Sequence, residues 1–325
     1  MKILITGIHG FVGSNLVEYL KKDNEIYGLD IVAPEKEGVV RTFSWDDLEM
    51  PGQAGHDDRA LPQFDAIIHL AGKAHDTKNK SAAEVYFKVN TGLTQKIFDY
   101  FISSEARKFI FFSTAKAAAD RVEGVLTEDV VPSPVGPYGE SKIKAEEYIL
   151  STLEDFSTSL EMTERKQVYI FRPCMIHGPG NKGNLNLLYS VVRKGIPWPL
   201  GSFENRRTFT SIENICFAVN GVLTSDIESG IYNMGDDEAL STNELIEEIC
   251  KSLGKKARIW KLSKGLMTGI AKVGGWLHLP LNPDRLQKLT ENYVSSNAKI
   301  KAALGIEKMP VDAREGLQRT LESFR

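Results

Sequence analysis

Hydrophobic positions in the first half of the chain alternate between short continuous runs and helical spacing. Residues 2–6 form an apolar run without polar alternation, which predicts a strand buried on both faces. Apolar residues at helical spacing follow up to Leu20. Further predicted strands lie at residues 25–30, 39–43, 64–72, 108–112 and 167–171. Strands that alternate with helices predict a doubly wound α/β fold, whose parallel sheet binds ligands at the carboxyl ends of its strands.

The second half has a mixed pattern. Helical spacing covers residues 185–192 and 211–223, and a short apolar run at 231–234 predicts one more strand. A capping-box pattern predicts the start of a helix over residues 244–253. We expect residues 172–325 to form a smaller mixed lobe over the strand ends of a domain at 1–171, with residues 211–234 returning to that domain.

One late apolar stretch, residues 265–281, needs a separate interpretation. Lys272, His278 and several glycines interrupt it, so it is a poor candidate for a membrane span. It is interpreted as a helix packed on the fold, with contact to a surface or a partner as the alternative.

Composition narrows the class of protein. The 325 residues are 42% hydrophobic and 26% charged, as in ordinary globular proteins. The net charge of -3 predicts no overall attraction to nucleic acid or anionic lipid. Cys174, Cys216 and Cys250 are far apart and form no metal-type cluster, which favours a reducing compartment. Met1 runs directly into the first predicted strand without a signal-like segment, so we expect a cytoplasmic protein without a transmembrane segment.

Three glycines follow the first predicted strand. Gly7, Gly10 and Gly13 stand at spacings of three and three. Such glycines allow a tight turn, close approach of a pyrophosphate to the backbone, and close packing of the next helix. The amides and dipole at the start of that helix favour an anion. The turn therefore predicts a dinucleotide site, against the alternative of an ordinary glycine-rich turn.

Asp30 is the residue that selects among dinucleotides. It ends the second predicted strand, seventeen residues after Gly13. A carboxylate at this place accepts hydrogen bonds from the adenosine ribose and repels the additional phosphate of NADP. We therefore predict NAD as the cofactor, with a simple turn residue as the alternative for Asp30.

Two further segments complete the predicted site. The small residues Ala71 and Gly72 end the fourth strand, and Asn90 lies within helical spacing over residues 81–102. Tyr138 and Lys142 are four residues apart, on one face of a predicted helix. An ammonium near a phenol favours the phenolate, so this pair suits a general acid and base. Thr114 is predicted to hold a substrate hydroxyl in line with Tyr138.

These motifs resemble the NAD-dependent epimerase/dehydratase family of extended short-chain dehydrogenases/reductases, which act on nucleotide sugars. The matching segments are Thr6-Gly7-Ile8-His9-Gly10-Phe11-Val12-Gly13, Asp30, His69-Leu70-Ala71-Gly72, Val89-Asn90, Ser113-Thr114, Tyr138-Gly139-Glu140-Ser141-Lys142, Arg172-Pro173, His177-Gly178-Pro179-Gly180, Arg206-Arg207-Thr208-Phe209 and Glu213-Asn214. They cover almost the whole chain.

The resemblance implies a set of residue roles. Tyr138 is the acid and base, Lys142 binds the nicotinamide ribose and tunes Tyr138, and Thr114 orients the reacting hydroxyl. The implied NAD contacts are Gly7, Gly10, Phe11, Val12, Gly13, Asp30, Leu70, Ala71, Gly72, Asn90, Tyr138 and Lys142. The implied contacts of a UDP-sugar are Asn184, Arg207 and Arg285. Relatives form a homodimer through the helices at residues 81–102 and 138–153, so we expect one here.

The resemblance also ranks the activities. Sugar dehydratases carry Asp-Glu after the active threonine, whereas Ala115 and Lys116 stand here, so dehydration is disfavoured. The segment around Arg285 resembles UDP-N-acetylhexosamine 4-epimerases and 4-ketoreductases of surface polysaccharide synthesis. The favoured function is a 4-epimerase of a UDP-hexose or UDP-N-acetylhexosamine. A 4-ketoreductase of a UDP-4-keto-6-deoxy sugar that uses NADH or NADPH, and a non-catalytic NAD(H) sensor or scaffold, are the alternatives.

Overall fold

A computed structural model describes residues 1–32, 34–49, 61–73, 82–159, 166–181, 183–277 and 281–325. Its strands in these ranges are β1 (Lys2–Thr6), β2 (Glu25–Leu29), β3 (Arg41–Phe43), β4 (Ala66–His69), β5 (Lys108–Phe112), β6 (Val125–Leu126), β7 (Gln167–Pro173), β8 (Met175–His177), β9 (Phe209–Ser211), β10 (Gly230–Met234) and β11 (Val294–Ser295). Its α-helices are α1 (Phe11–Leu20), α2 (Ala83–Tyr86), α3 (Leu93–Ser103), α4 (Ala115–Ala118), α5 (Pro137–Ser159), α6 (Asn184–Arg193), α7 (Ile212–Thr224), α8 (Thr242–Ser252), α9 (Lys264–Trp276), α10 (Pro283–Thr290), α11 (Ala298–Leu304) and α12 (Ala313–Glu322).

Seven of these strands form one parallel sheet. Their order is β10-β7-β5-β4-β1-β2-β3, so the chain starts in the middle and winds outward in both directions. This order confirms the predicted doubly wound parallel fold. The last strand in the chain to join is β10, which pairs in parallel with β7 and brings a late segment back to the sheet.

The continuous apolar runs explain why helices cover both faces of the sheet. Successive strand residues point to opposite faces, and in β1 Ile3 and Ile5 pack with α1 and α7, whereas Leu4 packs with α3 and α5. All three side chains are fully buried. A strand buried on both faces has no polar alternation, which is the pattern seen in the sequence.

Some predicted boundaries differ from the structure. The third strand was expected at residues 39–43 and is shorter, Arg41–Phe43. The helix expected at 81–102 is described from Ala83, and its middle is a π-helix, Phe87–Gly92, between α2 and α3. Residue 81 lies outside the described ranges. Periodicity at a spacing of 3.6 cannot reveal such a one-residue expansion.

The C-terminal lobe has its own apolar core, formed chiefly by α6, α8, α9 and α12. The predicted capping box is present at the start of α8. The Ser241 hydroxyl accepts from the Glu244 amide at 3.1 Å, and the Glu244 carboxylate accepts from the Ser241 amide at 2.8 Å. Two small parallel pairs lie outside the main sheet: β8 with β9, and β6 with β11, which joins residues 125–126 to residues 294–295.

Candidate active site

The glycine turn joins β1 to α1 at the centre of the sheet. Gly7 has a φ of +68°, and a Cβ there would lie 2.9 Å from the Ala71 backbone. At Gly13 a Cβ would lie 2.7 Å from the Gly7 carbonyl oxygen. Gly10 is the N-cap of α1 and brings no capping side chain. The amides of the first turn of α1, which includes Phe11 and Val12, therefore remain suited to an anion.

Asp30 lies directly beside this turn. Its carboxylate accepts from the His9 amide at 3.1 Å and from the Ile31 amide at 2.8 Å. Asp30 follows the last residue of β2, since the strand ends at Leu29, one residue earlier than predicted. The structure thus brings an acidic group to the place where the sequence predicts the adenosine ribose.

The end of β4 packs against the same turn. The Thr6 hydroxyl accepts from the amides of Leu70 at 3.2 Å and Ala71 at 3.0 Å, and bonds to His69 Nδ1 at 2.7 Å. On its other side, His69 Nε2 bonds to Thr94 at 2.9 Å. Burial and then the nearby Lys142 ammonium hold the pKa of His69 well below its ordinary value. A neutral histidine therefore locks β1, β4 and α3 together behind the site.

Gly72 marks where three predicted residues meet. A Cβ on Gly72 would lie 3.0 Å from Asn90 Oδ1 and 3.1 Å from Lys142 Nζ. Asn90 lies in the π-helix, accepts from the Lys73 amide at 2.7 Å and donates to the Ser141 hydroxyl at 2.9 Å. The sequence motif around Tyr138 includes Ser141, but its pairing with Asn90 was not predicted.

Thr114 and Tyr138 face each other at the end of β5. Thr114 is the N-cap of α4, and its side chain is hydrogen bonded to Tyr138 at the start of α5. The Tyr86 ring meets the Tyr138 ring edge-on, with centroids 6.3 Å apart. The structure thus brings the two predicted reacting groups together from α4 and α5, with Tyr86 of α2 beside them.

Lys142 lies one helical turn after Tyr138 and is 5% exposed. Its ammonium donates to the Phe112 carbonyl at 2.8 Å and lies 4.8 Å from the centroid of the Phe111 ring. Burial lowers the pKa of Lys142 to about 8, against the opposing effect of Glu146.

The pKa of Tyr138 differs from the sequence-based expectation. Burial raises it above the ordinary value of a phenol, and the hydrogen bond with Thr114 opposes this increase. Lys142 was predicted to lower this pKa, but its ammonium is bonded to the Phe112 carbonyl instead. Burial in the structure therefore opposes formation of the Tyr138 phenolate, and the hydrogen bond from Thr114 favours it.

A buried ion pair supports α5 from behind. Arg172 donates to Glu146 through Nη2 at 2.5 Å and through Nε at 3.1 Å, and Ser113 also donates to Glu146. Both charged side chains are 1% exposed. Sequence reasoning found Ser113 and Arg172 only as parts of motifs and missed Glu146, although its spacing of four from Lys142 on the same helix was an available signal.

Arg207 precedes β9 and contacts the helix α10. Its Nη1 donates to the Lys288 carbonyl of α10 at 2.8 Å. Burial raises the pKa of the Cys174 thiol to about 12, whereas the charges of Arg207 and Lys116 act in the opposite direction. Both cations therefore lie near Cys174, and Lys116 is only two residues from Thr114.

Lys116, whose role the sequence left open, has defined contacts. Its ammonium donates to the Asp120 carbonyl at 2.7 Å and to the Asp120 carboxylate at 3.0 Å. It also lies 4.7 Å from the centroid of the Tyr293 ring, whose hydroxyl donates to Ala119 at 2.8 Å. Lys116 therefore joins the reacting edge of the sheet to the C-terminal lobe.

The other two predicted substrate residues are less defined. Arg285 is exposed on α10, one turn before Lys288, and its amide donates to the Asn282 cap at 2.9 Å. Asn184 begins α6, but its side chain lies outside the described residues. Arg285 and the Lys288 carbonyl that Arg207 contacts thus belong to the same helix, α10.

Two other properties concern the described ranges. Within them, no cluster of three or more His, Cys, Asp or Glu side chains is arranged to hold a metal ion. No helix in them is long and apolar enough to cross a bilayer. The three cysteines are free thiols.

The residues present fit NAD. The turn at Gly7 to Gly13 leaves helix amides for a diphosphate, Asp30 offers ribose acceptors, and Gly72 leaves space beside Lys142. These features lie along one edge of the sheet, at the carboxyl ends of β1, β2 and β4.

Comparison with known proteins agrees with this geometry. The chain is 31% identical to the UDP-glucose 4-epimerase of Vibrio cholerae, over 99% of this chain and 95% of the relative. It is 25% identical to N-acetyl-alpha-D-glucosaminyl-diphospho-ditrans,octacis-undecaprenol 4-epimerase of Escherichia coli O157:H7, over 98% and 94%. The solved UDP-glucuronic acid 4-epimerase of Bacillus cereus in complex with NAD has the same fold, with a TM-score of 0.73 at 20% identity, over 100% and 98%.

The sequence profile of the NAD-dependent epimerase/dehydratase family matches residues 3–235, from β1 through the last strand of the sheet. The matched region contains the glycine turn, Asp30 and the Thr114, Tyr138 and Lys142 group. The chain is therefore an enzyme with NAD as its cofactor, and it belongs to the NAD-dependent epimerase/dehydratase family.

Proposed function

We propose that this enzyme is a 4-epimerase of a UDP-hexose or UDP-N-acetylhexosamine and acts through a 4-keto sugar. The observation that carries the proposal is the hydrogen bond between Tyr138 and Thr114 beside the buried ammonium of Lys142. This arrangement offers a proton donor and acceptor at the carboxyl end of β5, on the same edge of the sheet as the proposed cofactor residues. The named activities of the two relatives, both 4-epimerases, support the same reaction.

In this mechanism Tyr138 handles the proton of the sugar 4-hydroxyl. Its phenolate oxygen takes that proton when the C4–O bond becomes a carbonyl, and its phenol returns the proton when the alcohol forms again. NAD, when bound, supplies the hydride chemistry by accepting the hydride from C4 and returning it to the opposite face of the sugar. Thr114 holds the hydroxyl in line with Tyr138.

Lys142 and Asn90 position the reacting end of the site. Lys142 is held by the Phe112 carbonyl and bears a pKa of about 8, so it remains mainly an ammonium at neutral pH. A cation at this place favours hydroxyl oxygens of the nicotinamide ribose as acceptors. Asn90 fixes the adjacent loop through its bond with Lys73.

Arg207 is the proposed contact for the diphosphate of the substrate, with Arg285 and Asn184 as further contacts. A guanidinium suits phosphate oxygens because it donates two parallel hydrogen bonds. Arg207 is half-buried, and its guanidinium supports the proposal because it brings a permanent positive charge close to Cys174.

The experiment that tests the proposal compares net cofactor use with inversion at C4. The enzyme is incubated separately with UDP-glucose and UDP-N-acetylglucosamine, and the configuration at C4 is followed by NMR. Inversion without net consumption of NADH supports the epimerase. NADH or NADPH consumption with a UDP-4-keto-6-deoxy sugar, without inversion of the alcohols, would instead assign a 4-ketoreductase.

The division of the chain follows the same proposal. We assign residues 1–171, with 211–234, to the NAD-binding domain and residues 172–325 to the substrate lobe. The pairing of β10 with β7 supports the return of residues 211–234. A limited proteolysis experiment with and without NAD tests this division, because NAD should protect the first set of residues.

The proposed assembly is a homodimer in the cytoplasm. Leu150 on α5 and Val85 on α2 are each 42% exposed on the helices expected at the interface. The three free thiols are compatible with a reducing compartment. The mass in solution at micromolar concentration tests the dimer, and a monomer would contradict it.

A further inference from the structure

One segment of the chain differs sharply in charge from the rest. Residues 251–277 contain seven lysines and arginines and no aspartate or glutamate, although the whole chain has a net charge of -3. The cations are Lys251, Lys255, Lys256, Arg258, Lys261, Lys264 and Lys272, and all seven are exposed. The expectation that no basic field attracts this protein to anionic lipid rests on the net charge, which averages over this local surface.

The helix α9 within this segment has two apolar faces. Met267, Ala271 and Gly274 are buried in the core of the C-terminal lobe or against it. A second set of apolar residues occupies the adjacent face, at spacings of four, three and four. These are Leu266, Ile270, Val273 and Leu277, with 53%, 44%, 55% and 51% of their surfaces exposed. We call these four residues the outer stripe of α9.

Exposed aromatic and cationic side chains also occur on α9 and in the segment before it. Trp276 is 81% exposed and Trp260, shortly before the helix, is 54% exposed. Lys272 lies on the same helix and Lys264 at its start, 5.9 Å from the centroid of the Phe203 ring. Leucine and tryptophan beside lysines are typical of helices that lie in the interface of a bilayer.

We propose that α9 and the basic segment around it bind the surface of an anionic bilayer, with the outer stripe in the boundary between headgroups and acyl chains. Lys272, Lys261 and Arg258 then contact anionic headgroups, and Trp276 lies at their level. The helix lies on the membrane rather than crossing it, since no described helix is long and apolar enough to cross. This binding does not depend on which sugar the enzyme converts.

Charge and apolar exposure together favour a bilayer over other occupants. A second copy that docks through the same surface would bring the cations of the two segments together, which is unfavourable, although Lys251 is paired with Glu248 at 3.7 Å. Nucleic acid would pair with the cations but leave the outer stripe and Trp276 in water. An anionic bilayer is complementary to both properties at once.

The experiment measures sedimentation of the full-length protein with vesicles. We expect binding to vesicles of phosphatidylcholine with about one third phosphatidylglycerol, and little binding to pure phosphatidylcholine. Binding should decrease when the salt concentration rises from 0.1 M to about 0.5 M, because salt screens the cations. The double variant Ile270→Ser/Val273→Ser should reduce the partition coefficient by about tenfold or more.

Matched variants control for folding and for general charge. Val40→Ser/Val131→Ser removes two valines that are 60% and 83% exposed elsewhere, and should bind as the unaltered protein does. Lys272→Glu should reduce the partition coefficient about tenfold, whereas Lys308→Glu at another exposed position should change it little. Thermal unfolding with NAD verifies that each variant is folded.

Three results would overturn the proposal. The first is equal binding to neutral and anionic vesicles, or no binding to either. The second is vesicle binding that the variants in the outer stripe leave unchanged. The third concerns Ile270→Ser/Val273→Ser. It is a variant whose vesicle binding is unchanged but which has become a monomer or has lost binding to a duplex DNA probe. Since none of these measurements uses a sugar, failure here leaves the proposed function untouched.

Discussion

The predicted site residues are held in different ways on the sheet and on the C-terminal lobe. We call the first group the sheet wall and the second the lobe wall. On the sheet wall, Lys142, Glu146, Arg172 and His69 are all at least nine-tenths buried, and each has a named partner. On the wall of the C-terminal lobe, Arg207 is half-buried and Arg285 is exposed. Burial of charge without a partner is costly, so buried charges require a surrounding network. The polar groups of the sheet wall are thus held by buried partners within the fold, whereas the proposed substrate contacts of the lobe wall are more exposed.

The largest expected effect comes from removing the reacting group of the sheet wall. Tyr138→Phe keeps the ring and removes the proton donor, so kcat for inversion at C4 should decrease by about 10²-fold to 10⁴-fold. The control is Tyr148→Phe on the same helix, whose hydroxyl donates to Asp99 at 2.5 Å. Unchanged turnover of every candidate sugar by Tyr138→Phe would support the NAD(H) sensor instead.

The next effect tests whether the sheet wall depends on its buried ion pair. Glu146→Gln should lower the free energy of unfolding by about 3 kcal/mol, because Arg172 would keep a buried charge without a carboxylate. Urea unfolding measures this change. Glu147→Gln, at the exposed neighbouring position, should change stability by less than about 0.5 kcal/mol. Equal effects in the two variants would contradict the comparison between the walls.

Lys142→Met should separate stability from activity. The pKa of Lys142 is about 8 in the fold against an ordinary 10.5, so between these values the unfolded chain binds more protons and stability rises with pH. At pH 7 Lys142 is protonated in both the folded and the unfolded chain, so the folded state bears the full cost of burying the ammonium. The free energy of unfolding of Lys142→Met should therefore be about 2 kcal/mol higher at pH 7. The variant should show little of the increase in stability with pH, and it should lose turnover.

Lys144→Met is the control for this variant. Lys144 is exposed on the same helix, 5.1 Å from the centroid of the Phe87 ring, and its replacement should leave the pH dependence of unfolding unchanged. A Lys142→Met protein that is less stable than the unaltered protein at pH 7 would show that the bond to Phe112 outweighs the cost of burial.

The smallest effect is expected on the lobe wall. Arg207→Ala should raise KM about tenfold with little change in kcat, because a binding contact is lost while the reacting groups remain. Arg206→Ala, whose guanidinium bonds to Glu244 at 3.1 Å, should change KM little. A decrease in kcat at constant KM would place Arg207 with the sheet wall instead.

The predictions that the structure confirms rest on patterns within short segments of the sequence. The parallel fold follows from continuous apolar strands that alternate with helices, and the glycine turn lies where three glycines allow it. Asp30 reaches the turn because β1 and β2 are neighbours in register, Thr6 beside Leu29. These properties depend on short segments and on general rules of sheet topology, so one sequence suffices to predict them.

Other properties depend on contacts between distant segments. Glu146 finds Arg172 and Ser113 at separations of 26 and 33 residues, and neither distance follows from a sequence period. The pKa of Tyr138 depends on burial, which raises it, and the spacing of Tyr138 and Lys142 along the sequence does not reveal burial. The position of Lys116 likewise depends on its contact with the Tyr293 ring, which belongs to the C-terminal lobe.

The π-helix that contains Asn90 makes the site sensitive to chain length. Its wider turn accommodates one residue more than an α-helix does between α2 and α3. Deleting a single residue there would restore regular α-helical winding and remove the wide turn that presents Asn90. The bond between Asn90 and Ser141 would then be lost, although no residue of the bond had been replaced. Insertions and deletions in this helix, and not only substitutions, are therefore able to switch the site off.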